Sequence, residues 1–367
     1  MRIGLPKEIK KEEYRVALTP ETAATYVRNG HAVTIEAGAG MGSGFSDDQY
    51  VAAGCSVEAD KKKLFQNAEM IVKVKEPLPE EYGLFRPGQI LYTYLHLAAD
   101  KSLTEAMLAS GVIGVAYETV QEADGSLPLL IPMSQIAGRL AVQEGAKYLE
   151  KPFGGRGILL GGVPGIRKGK VVILGGGIAG TNACQMAVGI GAQVTIMDIS
   201  AKRLAELDIL FGTRVQTLYS IPSNIEQEIK DADLVIGAVL IPGAAAPKLI
   251  TRRHLTLMKP GAVLVDISVD QGGTFETTRP TTHANPIFIE EGIVHYCVAN
   301  MPGAVSLSST LALTSVTNRY GLKIADLGIE QALKESRPIR AGLNCHTGRL
   351  TNRAVAEAHG MTYVEAV

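Results

Sequence analysis

The sequence predicts an α/β fold in two domains, each a doubly wound parallel sheet, flanking a crevice, with a C-terminal helical segment that returns to the first domain. Three observations lead to this prediction. The chain has 367 residues, a length that favours two domains of ordinary size. Apolar runs suited to strands alternate with helix-like segments, as they do in βαβ units. A Gly-rich connection separates two such series of strands, and the last part of the chain has mostly helical patterns.

The first series contains four strand-like runs, HAVTIEAG, EMIVKVKEP, GQILYTYLH and GVIGVAYETV. Amphipathic or turn-rich sequence separates each run from the next, which indicates parallel strands joined by crossover helices. A helix-like stretch, SQIAGRLAVQEGAKYLE, follows these strands, and the Gly-rich KPFGGRGILLGGVPGIRKG comes after it.

The second series contains five strand-like runs, KVVILGGG, AQVTIMD, ADLVIGAV, GAVLVDIS and IVHYCVAN. These runs place a second α/β domain at residues 131–300. The first domain then consists of residues 1–130 together with residues 301–367, since the stretch from LSSTLALTSVTNRYGLKIADLG onward is mostly helical and is expected to pack back on it.

Composition excludes several classes of protein. Lys and Arg number 36 against 37 Asp and Glu, without a basic block, so a nucleic-acid partner is not expected. The four cysteines lie far apart and form no CxxC pair, which argues against a metal site or a disulfide framework and favours a reducing compartment. Every apolar run is broken before it reaches membrane-spanning length, and the N-terminus lacks a signal-like apolar stretch. We therefore expect a soluble cytoplasmic protein without a membrane partner.

The strongest motif is a GxGxxG formed by Gly175, Gly177 and Gly180, which stands between an apolar run and a helix-like one. The first glycine permits a tight turn, the second admits a pyrophosphate, and the third lets helix and strand pack closely. The next strand ends at Asp198, whose carboxylate can accept both ribose hydroxyls of NAD. The second domain is therefore predicted to be a Rossmann-like, NAD-binding domain.

Four polar residues follow predicted strands and are candidates for chemistry: Arg15, Lys75, His96 and Asp270. Each residue alone has a structural explanation, such as a lysine with a buried stem or a core histidine. Together they supply a guanidinium that can fork a carboxylate, an ammonium for a carbonyl oxygen, and acid/base groups. This set suits redox chemistry on an amino acid or keto acid. Lys73, one step deeper than Lys75, is expected to have a structural partner instead.

Two stretches identify a family resemblance. GLPKEIKKEEYRVALTPE and ILGGGIAGTNACQMAVGIGAQVTIMD resemble the two signature regions of the family of alanine dehydrogenases and nicotinamide nucleotide transhydrogenases. The similarity extends over essentially the whole chain and includes MSQIAGRLAVQEGA, VDISVDQGG, RPTTHANP and VANMPGAV.

The resemblance implies a role for each candidate residue. Arg15 and Lys75 would bind pyruvate or alanine in a substrate and catalytic domain, while His96 and Asp270 would be the catalytic proton-transfer groups. Homo-hexamers are usual in the family. Besides the three glycines of the motif, its cofactor contacts would fall on Ser134, Ile178, Ala179, Asp198, Arg203, Ser220, Val239, Leu240, Ile267, Ser268, Val269, Asp270, Arg279, Val298, Ala299, Asn300 and Met301.

The expected function is the NAD-dependent, reversible oxidative deamination of L-alanine to pyruvate and ammonium. Three alternatives remain open at this point. They are the NAD-binding subunit of a transhydrogenase, a dehydrogenase of the saccharopine type with a larger substrate, and a nucleotide-sensing module without catalysis. The retention of four polar residues at strand ends favours the deaminating enzyme.

Overall fold

The computed structural model describes residues 1–239 and 246–365. Its strands, in chain order, are β1 (Arg2–Leu5), β2 (Ala32–Glu36), β3 (Ser56–Glu58), β4 (Met70–Val72), β5 (Ile90–Thr93), β6 (Ile113–Ala116), β7 (Lys170–Leu174), β8 (Gln193–Asp198), β9 (Val215–Tyr219), β10 (Leu234–Gly237), β11 (Val263–Asp266), β12 (Ile287–Glu290), β13 (Ile293–Tyr296), β14 (Leu343–His346) and β15 (Arg349–Leu350).

The α-helices are α1 (Pro20–Arg28), α2 (Asp47–Ala52), α3 (Lys61–Asn67), α4 (Pro79–Tyr82), α5 (Lys101–Ser110), α6 (Ile131–Tyr148), α7 (Ile178–Ile190), α8 (Ala201–Phe211), α9 (Pro222–Asp231), α10 (Arg252–Leu255), α11 (Ser306–Leu327), α12 (Ile329–Glu335), α13 (Arg337–Gly342) and α14 (Arg353–His359). Within the described ranges, no helix is both long and apolar enough to cross a membrane.

The chain divides into two compact units. The first unit comprises Met1–Met133 and Val305–Val367, and the second comprises Ser134–Ala304. Each unit contains a sheet with its own buried apolar core. The first unit thus takes residues from both ends of the chain, and the second is built from one stretch between them.

The first sheet has the strand order β3-β2-β1-β4-β5-β6-β14-β15 in the described part of the chain. The strands from β3 to β6 pair in parallel, while β14 pairs antiparallel with β6, and β15 pairs antiparallel with β14. The two antiparallel strands belong to the C-terminal segment, for which the sequence predicts mostly helix. Their runs of four and two residues are too short for a period-2 pattern to stand out.

The second sheet has the strand order β9-β8-β7-β10-β11-β13-β12, again within the described residues. All pairs are parallel except the one between β12 and β13 at the edge. Numbered along the chain, the parallel strands have the order 3-2-1-4-5-6 of a dinucleotide-binding fold. The predicted α/β class with parallel-dominated sheets is confirmed, and both sheets have antiparallel strands at an edge.

Local sequence explains where these elements begin. The central strands β4, β7, β10 and β11 are buried along almost their whole length. Apart from Lys170, Gly237 and Asp266 they consist of Val, Ile, Leu and Met, as expected for strands covered on both faces. Helix α1 begins after Thr19, whose hydroxyl accepts the Thr22 backbone N–H, and Pro20 occupies the first helical position.

Candidate active site

In the first unit, three candidate residues follow neighbouring strands of the sheet. Arg15 comes after β1, Lys75 after β4 and His96 after β5. These three strands are adjacent, and the order of the sheet reverses between β1 and β4. In open α/β sheets, ligands bind beyond the carboxyl ends of the strands at such a reversal. The fold therefore carries a guanidinium, an ammonium and an imidazole to the edge where a ligand is expected.

Arg15 is held by a buried carboxylate. Its side chain is 2% exposed, and its Nε and Nη2 donate to the two carboxylate oxygens of Glu13 at 2.7 and 2.5 Å. Its Nη1 lies 3.1 Å from the sulfur of Met133. A two-point pair of this kind fixes the plane of the guanidinium as well as its position. Glu13 therefore fixes the orientation of the Arg15 guanidinium.

The two lysines after β4 have different environments. The sequence predicts a buried strand that continues through both, but β4 ends at Val72. Lys73 is 1% exposed, and its Nζ lies 3.0 Å from Glu81 Oε1 and 3.3 Å from Glu8 Oε2. Lys75 is half-buried. Lys73 thus has the structural partners expected of it, and Lys75 is the lysine that remains accessible to a ligand.

Glu8 also holds the backbone that leads to Lys75. Its Oε1 accepts the N–H of Val74 at 2.6 Å and that of Lys75 at 3.4 Å. From the neighbouring strand, the Thr93 hydroxyl donates to the carbonyl of Lys75 at 3.0 Å. These bonds add to the backbone bonds that continue beyond β4, from the Lys73 N–H to the Tyr92 carbonyl at 3.1 Å and from the Tyr94 N–H to the Val74 carbonyl at 3.3 Å, and together they hold the backbone at Lys75.

The surroundings of Lys75 are electrostatically mixed. Burial, and next the adjacent Arg15 guanidinium, lower the pKa of Lys75 below its ordinary value, while Glu76 opposes the shift. Burial raises the pKa of Glu76, but Lys75 and Lys10 outweigh it and hold that pKa below its usual range. Lys10 forms an ion pair with Glu76 Oε1. Lys75 is thus influenced both by a cation, Arg15, and by carboxylates, of which Glu76 has the larger effect.

His96 lies on an unusual backbone. Its φ is 51°, a left-handed conformation that is uncommon for residues other than glycine. Glu118, in the turn after β6, stabilises this conformation because its Oε1 accepts the N–H of His96 at 2.6 Å and that of Leu95 at 3.1 Å. The exposed imidazole stacks on the ring of Tyr94, with ring centroids 5.8 Å apart and planes within 9°. The side chain is thus positioned from both its backbone and its ring.

In the second unit, the glycine motif follows β7 at the reversal of strand order between β7 and β10. Gly175 has a φ of 103°, and a Cβ there would lie 2.7 Å from the carbonyl oxygen of Ala238. A Cβ on Gly180 would lie 1.8 Å from the Gly175 carbonyl oxygen, whereas one on Gly177 would meet no atom within 4 Å. The first and third glycines are therefore required by the fold. The second faces open space, which fits a pyrophosphate.

Asp198 and Arg203 both contact the glycine loop. Asp198 ends β8, and its Oδ2 accepts the N–H of Gly176 at 2.8 Å. Arg203 donates from Nε to the Gly176 carbonyl and from Nη2 to the Thr181 hydroxyl, both at 2.7 Å. Its Nη1 bonds to Glu206. The carboxylate thus lies at the end of the second strand, as a ribose contact requires, and the arginine braces the loop.

The remaining predicted cofactor residues are mostly distributed over the carboxyl ends of the other parallel strands. Ser134 is on α6, and Arg279 lies apart from the strand ends, with its guanidinium 3.9 Å from the centre of the Phe288 ring. Leu240 lies outside the described residues. After β9 comes Ser220, after β10 Val239, after β11 Ile267, Ser268, Val269 and Asp270, and after β13 Val298, Ala299, Asn300 and Met301.

Asp270 belongs to the second unit, whereas Arg15, Lys75 and His96 belong to the first. It is exposed, and it lies in the 3-10 turn Val269–Gln271. Two residues earlier in the chain, the Ser268 hydroxyl donates to the Val239 carbonyl at 2.6 Å. The segments after β10 and β11 are thereby tied to each other.

Sequence reasoning missed the carboxylates that support the candidate residues. Glu13 orients Arg15, Glu8 holds the backbone at Lys75, and Glu118 holds the backbone at His96. In KEIKKEEYR several acidic residues alternate with basic ones, and nothing in that pattern distinguishes a carboxylate that turns inward from a solvated one. Glu118 comes at the end of the apolar run of β6, which was the one usable signal.

Comparison with known families agrees with this arrangement. The family model for the alanine dehydrogenase/PNT N-terminal domain matches residues 4–137, and the one for the alanine dehydrogenase/PNT C-terminal domain matches residues 141–353. An alanine dehydrogenase from Halomonas elongata is 55% identical over 366 residues, which cover 100% of this chain and 99% of that protein.

Solved structures give the same result. A structure named L-alanine dehydrogenase superposes with a TM-score of 0.96 at 52% identity and covers 98% of this chain and 99% of its own. A transhydrogenase from Sinorhizobium meliloti superposes with a TM-score of 0.81 over 96% of this chain and 100% of its own, and at 24% identity that likeness concerns the fold alone. On the strength of the family models and the relative from Halomonas, the chain belongs to the alanine dehydrogenase/PNT family.

Proposed function

We propose that this protein catalyses the NAD-dependent, reversible oxidative deamination of L-alanine to pyruvate and ammonium. Full-length similarity to proteins named alanine dehydrogenase supports this reaction. The observation that carries the proposal is the grouping of Arg15, Lys75 and His96 beyond adjacent strands of the first sheet. A short substrate with one carboxylate and one carbonyl or amine matches a guanidinium, an ammonium and an imidazole placed together.

Family membership implies a nicotinamide cofactor, and we propose that it is NAD. The residues of the second unit fit this group, since the position of Gly177 is open while Gly175 and Gly180 are closed by neighbouring backbone. The N–H groups at the start of α7 would hold the pyrophosphate, and Asp198 would hold the ribose hydroxyls. When bound, NAD supplies the acceptor for the hydride that leaves the α-carbon of alanine.

The residues of the first unit bind and polarise the substrate in this proposal. Arg15, already oriented by Glu13, forks the substrate carboxylate with two parallel hydrogen bonds. Lys75 donates a hydrogen bond to the carbonyl oxygen of pyruvate, or to the corresponding oxygen of the carbinolamine, and stabilises negative charge that develops there. Both residues fix the substrate in a single orientation.

Proton transfer is assigned to His96 and Asp270. Loss of a proton from the ammonium group and of hydride from the α-carbon of alanine leaves an iminium, water adds to its carbon with release of a proton to give a carbinolamine, and ammonia then leaves as the carbonyl forms. An imidazole exchanges protons near neutral pH, so His96 is suited to move the proton between the carbinolamine hydroxyl and the leaving amine. Asp270 orients the attacking water or accepts a proton from the amine.

The central experiment measures NADH formation with L-alanine against a panel of other amino acids that includes saccharopine. We expect alanine to give the highest kcat/KM, and no increase with alanine would contradict the proposal. A transhydrogenase subunit would instead exchange hydride between nicotinamide nucleotides without an amino acid. A sensing module would bind NADH with no turnover at all. The variant Arg15→Lys should mainly raise the KM for pyruvate, because a point charge cannot fork a carboxylate.

Assembly and location remain predictions. The homo-hexamer follows from the family resemblance, and light scattering should then give a mass of six 38.9 kDa chains. The cytoplasmic location follows from the sequence alone and is not tested by the structure. A mass equal to one or two chains would contradict the hexamer.

A further inference from the structure

The carboxylate of Asp266, the last residue of β11, is the centre of a dense set of hydrogen bonds. Its Oδ1 accepts the N–H of Ser268 at 3.0 Å and the hydroxyl of Thr274 at 3.1 Å. Its Oδ2 accepts the N–H of Thr274 at 2.8 Å, the N–H of Phe275 at 3.3 Å and the hydroxyl of Thr278. Asp266 is fully buried, so every one of these bonds forms away from water. The carboxylate thus binds residues at both ends of the 268–278 loop, and this loop contains Asp270.

An ammonium holds the same loop through its carbonyl groups. The Nζ of Lys248 donates to the carbonyl of Gly272, to that of Gly273 at 2.9 Å and to that of Phe275 at 3.1 Å. The backbone beside Lys248 runs along the loop, because the N–H of Leu249 donates to the Thr274 carbonyl at 2.8 Å. Two opposite charges therefore act on one loop, the anion on its N–H groups and the cation on its C=O groups.

The loop needs such support. Gly272 and Gly273 both have positive φ, at 86° and 78°, and two consecutive glycines give a chain many alternative conformations when it is not held. Asp270 lies two residues before Gly272 in the same loop and is itself exposed. Without the two charges, the position of the Asp270 carboxylate would be averaged over several loop conformations.

We propose that Asp266 and Lys248 form an ionic clamp whose purpose is to position Asp270. This inference rests on the proposed function, in which Asp270 takes part in proton transfer. Both clamp residues are positioning residues, because they act on the loop backbone and reach the chemistry only through Asp270.

The clamp is tested first with Lys248→Met, which keeps an unbranched side chain, one atom shorter, and removes the charge and the N–H donors. Lys248 is exposed, so the variant is expected to fold. We expect kcat to fall about tenfold, since a displacement of about 1 Å can cost up to a hundredfold. The KM for pyruvate should stay within about twofold. Lys248→Arg should recover most of the lost kcat.

The matched control is Lys259→Met. Lys259 belongs to the same unit, and its Nζ also donates to a backbone carbonyl, that of Asp231 at 2.9 Å. It does not contact the 268–278 loop by any bond among the described residues. Its kcat should remain within about twofold of the wild-type value.

A second arm combines Lys248→Met with Asp270→Asn. If the clamp acts through Asp270, Lys248→Met should lower kcat by less than about twofold in the Asp270→Asn background. A third arm needs no turnover. Amide hydrogen exchange of residues 268–275 should be faster in Lys248→Met and unchanged in Lys259→Met.

The outcomes separate the clamp from the proposed function. If Asp270→Asn lowers kcat but Lys248→Met does not, the clamp is overturned and the proposed function is not. The same holds if Lys248→Met lowers kcat equally in the wild-type and the Asp270→Asn backgrounds. Unchanged exchange in the 268–275 region would overturn it whether or not alanine is the substrate. A wild-type rate for Asp270→Asn would overturn the role of Asp270 in the proposed function, and the purpose of the clamp with it.

Discussion

Lys75 and Arg15 are two cations placed side by side in the first unit. Burial first, and next the charge of Arg15, disfavour the charged state of Lys75 and lower its pKa. A substrate carboxylate would offset the repulsion when it binds. We therefore expect the proposed substrate site to favour the binding of an anion.

This arrangement predicts a pH dependence. Only protonated Lys75 brings a positive charge to the substrate carbonyl, and the protonated form is lost as pH rises through a pKa that lies below 10.5. The kcat/KM for pyruvate should therefore fall on the alkaline side, before an ordinary lysine would titrate. Lys75→Arg should move this fall to higher pH, because a guanidinium stays charged. If the fall occurs at the same pH in Lys75→Arg, another group is responsible for it.

Lys75→Ala should reduce turnover severely and leave NADH affinity nearly intact.

Asp198 is predicted to decide between NAD and NADP. Two unit charges about 4 Å apart repel by roughly 4 kcal/mol at an effective dielectric of about 20, and even half of that is more than tenfold in affinity. Asp198→Ala should lose NAD affinity and gain relative use of NADP, with the Arg203 guanidinium already at the glycine loop. The control is Asp208→Ala, because Asp208 is also an acidic residue of the same unit and lies exposed on α8. An unchanged NAD to NADP ratio in Asp198→Ala would show that this carboxylate does not contact the ribose.

At the scale of elements, the turn from β7 into α7 separates structural from binding requirements. Gly177→Ala should leave the melting temperature nearly unchanged, since its φ is −65° and its Cβ would meet no atom within 4 Å. It should nevertheless lower NADH affinity, because the methyl group would occupy the place proposed for the pyrophosphate. Gly180→Ala should destabilise the fold, since its Cβ would lie 1.8 Å from a carbonyl oxygen. Full NADH affinity in Gly177→Ala would contradict the cofactor placement.

The ends of β5 and β6 are coupled through Glu118. Glu118→Ala removes the acceptor of two backbone N–H groups and releases the left-handed conformation of His96. We expect kcat to fall by about ten- to a hundredfold, with NADH affinity retained. In a His96→Ala background, already slowed by about a hundred- to ten-thousandfold, the same change should have almost no further effect.

Glu69→Ala is the control for Glu118→Ala. Glu69 lies in the same unit and also accepts a backbone N–H, that of Arg2 at 2.7 Å. A comparable loss of kcat in this variant would indicate general destabilisation rather than positioning of His96.

At the scale of the whole molecule, most of the fold could be predicted from the sequence. The alternation of apolar and helical runs indicates parallel sheets, and the glycine motif locates the first strand of the second sheet. The strands β3, β9 and β12 are not among the predicted runs, and neither are β14 and β15. Cys345, in the middle of β14, becomes part of a strand because the edge of β6 is available to pair with it, and such a tertiary cause leaves no local pattern.

The candidate site was predictable only in part. Titratable residues that end apolar runs can be collected from sequence, and this rule finds Lys75, His96 and Asp270. Their supports cannot be found in this way. In the sequence, Asp266 is only the last residue of an apolar run, and Lys248 resembles any surface lysine. Only the fold shows that both contact the same loop.

The return of the C-terminal segment to the first sheet has a consequence for synthesis on the ribosome. The second unit is one stretch, so it can fold as soon as Ala304 has emerged, while the edge of β6 stays unpaired until β14 appears. At about 5–20 residues per second, the synthesis of the chain between β6 and β14 leaves that edge open for on the order of ten to fifty seconds. We expect nascent chains arrested after Ala304 to be protease-resistant in the second unit and sensitive in the first. An open strand edge can pair with another chain, so crowded translation exposes this protein to misassembly at β6.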